Sequence, residues 1–171
     1  MTGDLKFYKY TNNGGGGPYK TASYTLVDSE TMGIRMGKDF VSSLKILPPL
    51  KDDITNVSRT EHGTRFKHIT DANGNAYKGE RSVTLNLSVH ETPYTNNGTP
   101  AVHDINYNIA YFMEHILCRG HFAVQVPSRG NDVFFLKYVS CQSYAETRSG
   151  KSCKLAIKCV EYNPSKRAFE S

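Results

Sequence analysis

The chain has no tryptophan, and none of its four cysteines belongs to a Cys-x-x-Cys pair. No apolar run comes near the roughly 18 residues that a membrane-spanning helix needs, and the first residues, Met1 to Lys6, lack the apolar core of a secretory signal. We therefore expect a protein that is made and kept in a cytoplasm. Because thiols stay reduced there, we expect Cys118, Cys141, Cys153 and Cys159 to act as small apolar residues, buried or half buried.

Positive charge is in modest excess and is scattered along the chain. Lys and Arg number 21 against 16 Asp and Glu, which gives a formal net charge of +5. No block of consecutive cations is present, whereas a DNA-binding protein usually concentrates them on one helix or loop. The sequence therefore argues against nucleic acid as the primary partner.

The residues that carry catalytic or metal-binding chemistry are not grouped. His115 and Cys118 are three apart on a predicted helix, but a histidine near a helix end is more simply explained by the favourable helix dipole. Glu61 and His62 are adjacent, and neighbours on a strand face opposite ways. No Gly-x-Ser-x-Gly element is present. We predict no catalytic residue, no metal ligand and no cofactor, and hence a protein that is not an enzyme.

Composition and length predict one domain over residues 1–171. The chain is 38% apolar and contains 11 Tyr, 8 Phe and 14 Gly, which is typical of a globular, strand-rich protein. Four consecutive glycines, Gly14 to Gly17, predict a flexible loop near 11–18. A strand pattern follows them instead of the Gly-Lys-Ser/Thr of a phosphate-binding loop. We also expect a flexible tail over 165–171.

The periodicity of apolar residues predicts several strands and one helix. Residues 82–90 alternate strictly, with Val83, Leu85, Leu87 and Val89 on one side. Residues 104 to 119 repeat at helical spacing after Asp104, a good N-cap, and before Gly120. We predict a mainly β (α+β) fold, an antiparallel β-sandwich or split barrel of about seven or eight strands with one helix packed across the sheet.

Some segments are less clearly defined by their patterns. Residues 40–47 fit either a helix or a strand, and Pro48 and Pro49 end that segment. A polar stretch over 51–77 contains short extended pieces. Residues 93–100, with Asn96-Asn97-Gly98 at their centre, are predicted to be a loop.

The order of these elements resembles that of distal tail proteins, which form the ring at the tip of a long phage tail. The resemblance covers residues 5 to 164. The matching segments are Asp28-Ser29, Met32 to Met36, Leu47 to Lys51, Arg59 to Gly63, the strand 82–90, the helix 104–119, Phe134 to Tyr138 and Cys159 to Pro164. Many members carry a second, outer domain that binds carbohydrate. This chain ends soon after Pro164, so we do not expect host-glycan binding.

The resemblance implies a mechanical function. It implies a structural subunit of a phage-type tail tip, or baseplate, made in the bacterial cytoplasm and located in the virion tail. Its partners would be copies of itself in a hexameric ring, tail-tube and baseplate or fibre proteins, and the tape-measure protein or DNA that passes through the channel. No membrane partner is expected.

Two alternatives remain open on the sequence. The family fold is related to that of tail-tube proteins, so the chain could be a tube subunit or another ring of a tail or contractile injection system. A monomeric nucleic-acid or ligand-binding module is the second alternative. For the ring, we expect the subunit contacts to involve the following residues: Ile34, Met36, Leu47, Pro48, Pro49, Arg59, Gly63 and Tyr94.

Overall fold

The computed structural model describes residues 4–11, 17–50, 54–60, 63–67 and 78–170. Within them lie eleven strands and two α-helices. The strands are β1 Lys6–Tyr10, β2 Tyr24–Asp28, β3 Ile34–Met36, β4 Ile54–Thr60, β5 Gly63–Lys67, β6 Arg81–His90, β7 Thr92–Asn96, β8 Thr99–His103, β9 Phe122–Gln125, β10 Val133–Glu146 and β11 Ser152–Glu161. The helices are α1 Phe40–Lys45 and α2 Ile105–His115.

Seven strands form one antiparallel sheet in the order β2-β1-β9-β10-β11-β6-β3. Two further antiparallel ribbons are β4-β5 and β7-β8. The sheet and its one main helix confirm the predicted mainly β, α+β fold. Strands β4 and β5 lie in the polar stretch 51–77, where short extended pieces were predicted, and β7-β8 lies mostly where a loop was predicted.

The link between the two edge strands shows that the sheet is curled. If it were flat, its seven strands would hold β2 and β3 about 29 Å apart. The chain passes from Asp28 to Ile34 through only five residues, which reach about 21 Å when fully extended. Four of them, Ser29–Met32, form a 3₁₀ turn that is shorter still. The sheet is therefore an open, split-barrel shape with its gap between β2 and β3.

Helix α2 packs on the inner face of this curled sheet. The Asp104 carboxylate accepts a hydrogen bond from the Tyr107 amide at 2.8 Å, as predicted for an N-cap. Phe112 packs edge-on against Phe7 of β1, with ring centroids 5.2 Å apart. Asn108 of this helix is buried as well, although its side chain is polar. No helix among the described residues is long and apolar enough to cross a membrane.

The outer face of the sheet carries a second, smaller core. Ala123, Val133 and Phe135 are buried there against partly buried tyrosines. Phe169 of the C-terminal segment lies edge-on to Phe135 at 5.5 Å, and the Glu170 amide donates to the Tyr19 carbonyl at 2.8 Å. Residues 165–170 are therefore held against the sheet, which corrects the expected flexible tail. Most of the expected flexible loop near 11–18 lies outside the described residues.

Two further segments and the cysteines depart from the sequence predictions or resolve them. Residues 93–100 form most of a hairpin rather than a loop, because Asn97 and Gly98 adopt the positive φ angles of a tight hairpin turn. The undecided segment 40–47 forms α1, with Phe40 and Leu44 buried. Cys153 and Cys159 are buried as expected, but Cys118 and Cys141 are exposed, so that expectation was wrong for them.

Candidate assembly surface

Strand β3 holds two of the predicted contact residues. Ile34 is only 1% exposed, and Met36 packs against the core, so both side chains point into the fold. Arg35 between them is exposed. On one side β3 pairs with β6, and its other side is an edge of the sheet. What β3 offers a partner is therefore its backbone edge rather than an apolar side-chain patch.

The predicted contacts Leu47, Pro48 and Pro49 lie elsewhere. Leu47 is 86% exposed, and its neighbours Ile46 and Leu50 are exposed as well. Arg81, the first residue of β6, donates to the Ile46 carbonyl at 2.7 Å, whereas β3 pairs with the far end of β6. Along β6, Arg81 is eight positions from Val89, the partner of Ile34, and six from Leu87, the partner of Met36, which is about 20 Å or more on a strand. The structure therefore does not bring these residues together with Ile34 and Met36.

Arg59 and Gly63 belong to the β4-β5 ribbon. Gly63 begins β5 and pairs with Thr60, which ends β4. The Arg59 side chain lies outside what the structure describes and Gly63 has none, so only their place on the ribbon is known. Among the described residues, neither strand of this ribbon pairs with the main sheet.

Tyr94 lies on the β7-β8 ribbon and anchors it. The ring of His103 is stacked between Tyr94 and Tyr107, with centroid distances of 3.9 and 4.0 Å. Because Tyr107 belongs to α2, the stack ties the ribbon to the helix. Pro93 and Pro100 remove a backbone donor from each strand, which makes the ribbon's own edges poor templates for strand pairing.

The longest free edge that the structure describes in the main sheet was not predicted from the sequence. Strand β9 pairs with β10 only from Val133 to Leu136. Beyond Leu136, the one paired neighbour of β10 within the described residues is β11. Every residue from Val139 to Glu146 is exposed, and none is proline. When a continuous strand loses its neighbour on one side, its pattern of apolar and polar residues does not change. The sequence of β10 therefore could not reveal this edge.

The free edges of β3 and β10 lie at the same level of the sheet. Ile34 is opposite Val89 of β6, Val89 is opposite Cys153 of β11, and Cys153 is opposite Glu146 of β10. Since each neighbouring pair of strands is antiparallel, β3 and β10 run in opposite directions. If a second copy lies beside the first, its β10 could therefore pair with β3 of the first copy as an antiparallel neighbour and continue the sheet.

A cleft of about 480 Å³ lies beside the edge of β3. The residues Asp4, Glu30, Glu91, Arg35 and His90 supply its charged and titratable groups. Burial, and then the nearby Arg35 cation, lower the pKa of His90 below its ordinary value. The cleft therefore leaves room beside β3, with carboxylates in the majority among its charges.

Gly33 fixes the position of β3 at the inner end of this cleft. Its φ of +65° is left-handed, and its carbonyl accepts from the His90 amide at 2.8 Å. The Asn108 side chain donates to the His90 carbonyl, also at 2.8 Å. A short chain of hydrogen bonds thus joins α2, β6 and the residue before β3.

Within the described residues, no three His, Cys, Asp or Glu side chains come together so that they could hold a metal ion. The chain matches no protein-family model, no curated protein and no solved structure. The features that indicate a function are therefore the fold, its free edges and the residues that carry the resemblance.

Proposed function

We propose that this protein is a structural subunit of a phage-type tail tip, and that copies of it form a hexameric ring joining the tail tube to the tip. The observation that carries the proposal is the pair of free edges, β3 and the part of β10 beyond Leu136, at one level of the sheet and in opposite directions. The order of sequence elements that resembles distal tail proteins supports the tail location.

In the proposed ring, β10 of one copy pairs with β3 of the next. This pairing gives partners to backbone N–H and C=O groups that the isolated subunit exposes. Different surfaces of the two copies meet, so the contact is head to tail, and a ring results when the rotation between copies closes. The proline-containing β7-β8 ribbon is left for side-chain contacts with neighbouring copies or with other tail proteins.

Charge at the proposed contact is complementary. The turn between β10 and β11 carries Arg148 and Lys151, both exposed. Glu146 of β10 lies at the same level of the sheet as Ile34 of β3. When β10 of one copy pairs with β3 of the next, the β10-β11 turn of the first copy therefore lies beyond Ile34 of the second, next to the cleft that Glu30 and Glu91 line. Opposite charges there would favour this register over a sheet shifted along the strands.

The test is a proline substitution on the free edge of β10. Gln142 lies at a register shift between β10 and β11, where proline is tolerated. Gln142→Pro removes one backbone donor and constrains the edge, whereas the control Gln142→Ala loses the same side chain and keeps the donor. By light scattering over a wide concentration range, we expect the wild type and Gln142→Ala to form a ring-sized species and Gln142→Pro to stay smaller.

The outcome also separates the alternatives. Open filaments of the wild type, instead of closed rings, would favour the tail-tube subunit, which would use the same edges. A strictly monomeric wild type that forms no ring even with its tail partners would overturn the structural proposal and favour the binding module. Equal assembly of the alanine and proline variants would show that β10 is not the contact.

A further inference from the structure

The outward side of the four strands β3, β6, β11 and β10 is a cationic face. Paired residues on neighbouring strands point to the same side of a sheet, so the register assigns each side chain. The buried Leu85, Leu87 and Ile157 point inward with α2. The charged residues that the register places on the outward side are Arg35, Lys137, Lys154 and Lys158.

At the outward positions of these four strands no carboxylate lies beside the cations. The start of β10 is covered on this side, because Val133 and Phe135 are buried in the second core. From Lys137 on, and on β3, β6 and β11, the other outward positions that the register assigns are occupied by Ser, Thr, Asn, Ala, Val and His, none of them buried. Within the described residues, the four cations make no ion pair. They are four of the 21 Lys and Arg residues of the chain. Four cations that are far apart in the sequence are therefore gathered on one surface.

The cations are spaced regularly across the strands. Lys154 is opposite Ser88, which is opposite Arg35, so two strand spacings of about 10 Å separate the two charges. Lys137 is opposite Val160, two residues from Lys158, which makes the two lysines diagonal neighbours at about 7–8 Å. The residues between them have short side chains that project less far from the sheet than Lys and Arg do. An extended polyanion could therefore approach several cations at once.

Two histidines at the margin of this face respond to its charge. Burial and Arg35 lower the pKa of His90, and burial and Lys137 lower the pKa of His121. Burial is the larger cause for both rings, and a cation of this face adds to it in each case. A polyanion bound on the face would offset the cations and raise both pKa values.

We propose that the cationic face binds the phosphate backbone of duplex DNA. The inference rests on the proposed function, because it makes this face the surface of the ring that meets the DNA. Regular, unpaired cations on an open sheet suit a ligand with regular phosphates and need no base contact. Duplex DNA is preferred to an acidic protein because the outward positions of β3, β6, β11 and the part of β10 from Lys137 on carry no Phe, Tyr, Leu, Ile or Met, whereas a protein interface usually has such an apolar anchor.

The experiment measures binding of a fluorescently labelled, mixed-sequence DNA duplex at several salt concentrations. The test variant combines Lys137→Gln, Lys154→Gln and Lys158→Gln. The control combines Lys45→Gln, Lys78→Gln and Arg119→Gln, which remove the same charge from exposed positions outside the four strands. Neutralising three phosphate contacts should weaken affinity at low salt by roughly tenfold or more and lower the salt slope by about three. The control should change affinity by less than about twofold.

Two outcomes would overturn the inference. One is a wild type that does not bind the duplex at low salt, and the other is an equal loss of affinity in the test and control variants. Equal binding to polyglutamate of matched charge would exclude DNA as the preferred ligand class. Light scattering on the same samples separates the two proposals. Rings that do not bind DNA would refute only DNA binding by the cationic face. DNA binding by a protein that stays monomeric would refute only ring formation.

Discussion

Arg81 and Glu161 form an ion pair inside the fold, with Nε and Oε1 2.5 Å apart and side chains 3% and 0% exposed. Arg81 also donates to the Leu44 carbonyl at 2.6 Å, so it closes the end of α1. Arg167 of the C-terminal segment binds the same Glu161 oxygen at 3.1 Å. Both guanidinium groups lie over the ring of Phe134. One carboxylate therefore holds β6, β11, α1 and the C-terminal segment together.

Glu161→Gln should destabilise the protein by roughly 3 kcal/mol, because two guanidinium groups lose their buried anion. Urea unfolding would show a lower midpoint. The control is Glu170→Gln, whose carboxylate accepts from exposed Lys166 at 2.5 Å and should change the midpoint little. Equal effects of the two variants would contradict the structural role assigned to Glu161.

Gly33→Ala should loosen β3 and thereby reduce assembly. A Cβ at this position would lie 2.1 Å from the His90 carbonyl oxygen, in addition to the left-handed φ of +65°. The control Gly98→Ala has a φ of +81° and nothing within 4 Å, so it carries only the backbone strain, on the order of 1 kcal/mol. We expect the larger loss of thermal stability, and a loss of ring-sized species, in Gly33→Ala. A Gly98→Ala variant as damaged as Gly33→Ala would contradict this.

Stability should fall as pH is lowered through the range in which histidines titrate. The pKa values of His90 and His121 are lowered in the folded state from 6.5. The unfolded chain therefore takes up protons first as pH falls below 6.5, and stability drops until pH passes below the folded-state values. Urea unfolding at pH values from about 7.5 to about 5 should show this slope, and His90→Gln with His121→Gln should flatten it. An unchanged slope would refute the assignment.

Assembly should protect Cys141 from a thiol reagent and leave Cys118 reactive. Both are exposed in the single subunit, but only Cys141 lies on the free part of β10. Cys153 and Cys159 are buried, and burial raises the pKa of the Cys159 thiol to about 12, so neither should react in the folded protein. Mass spectrometry after labelling of monomer and ring fractions would measure this. Full labelling of Cys141 in rings would place the contact elsewhere.

Strong local patterns in the sequence predicted their elements correctly. Val83 to Val89 alternate because one side of β6 faces the core, and Asp104 and Gly120 bound the helical region because their chemistry suits helix ends. The β7-β8 hairpin was missed because Pro93 and Pro100 normally argue against a strand. It forms because an isolated ribbon needs few backbone donors on its outer sides.

By itself, the sequence determined the α+β class, the faces of the individual strands and the excess of positive charge, since these depend on residue type and on spacing within one segment. Only the tertiary structure decided which edges of the sheet stay unpaired and that Arg35, Lys137, Lys154 and Lys158 share one surface. Strand order and register join residues more than a hundred positions apart, and no local pattern encodes such pairing. The free edges and the cationic face therefore arise only when the chain is folded.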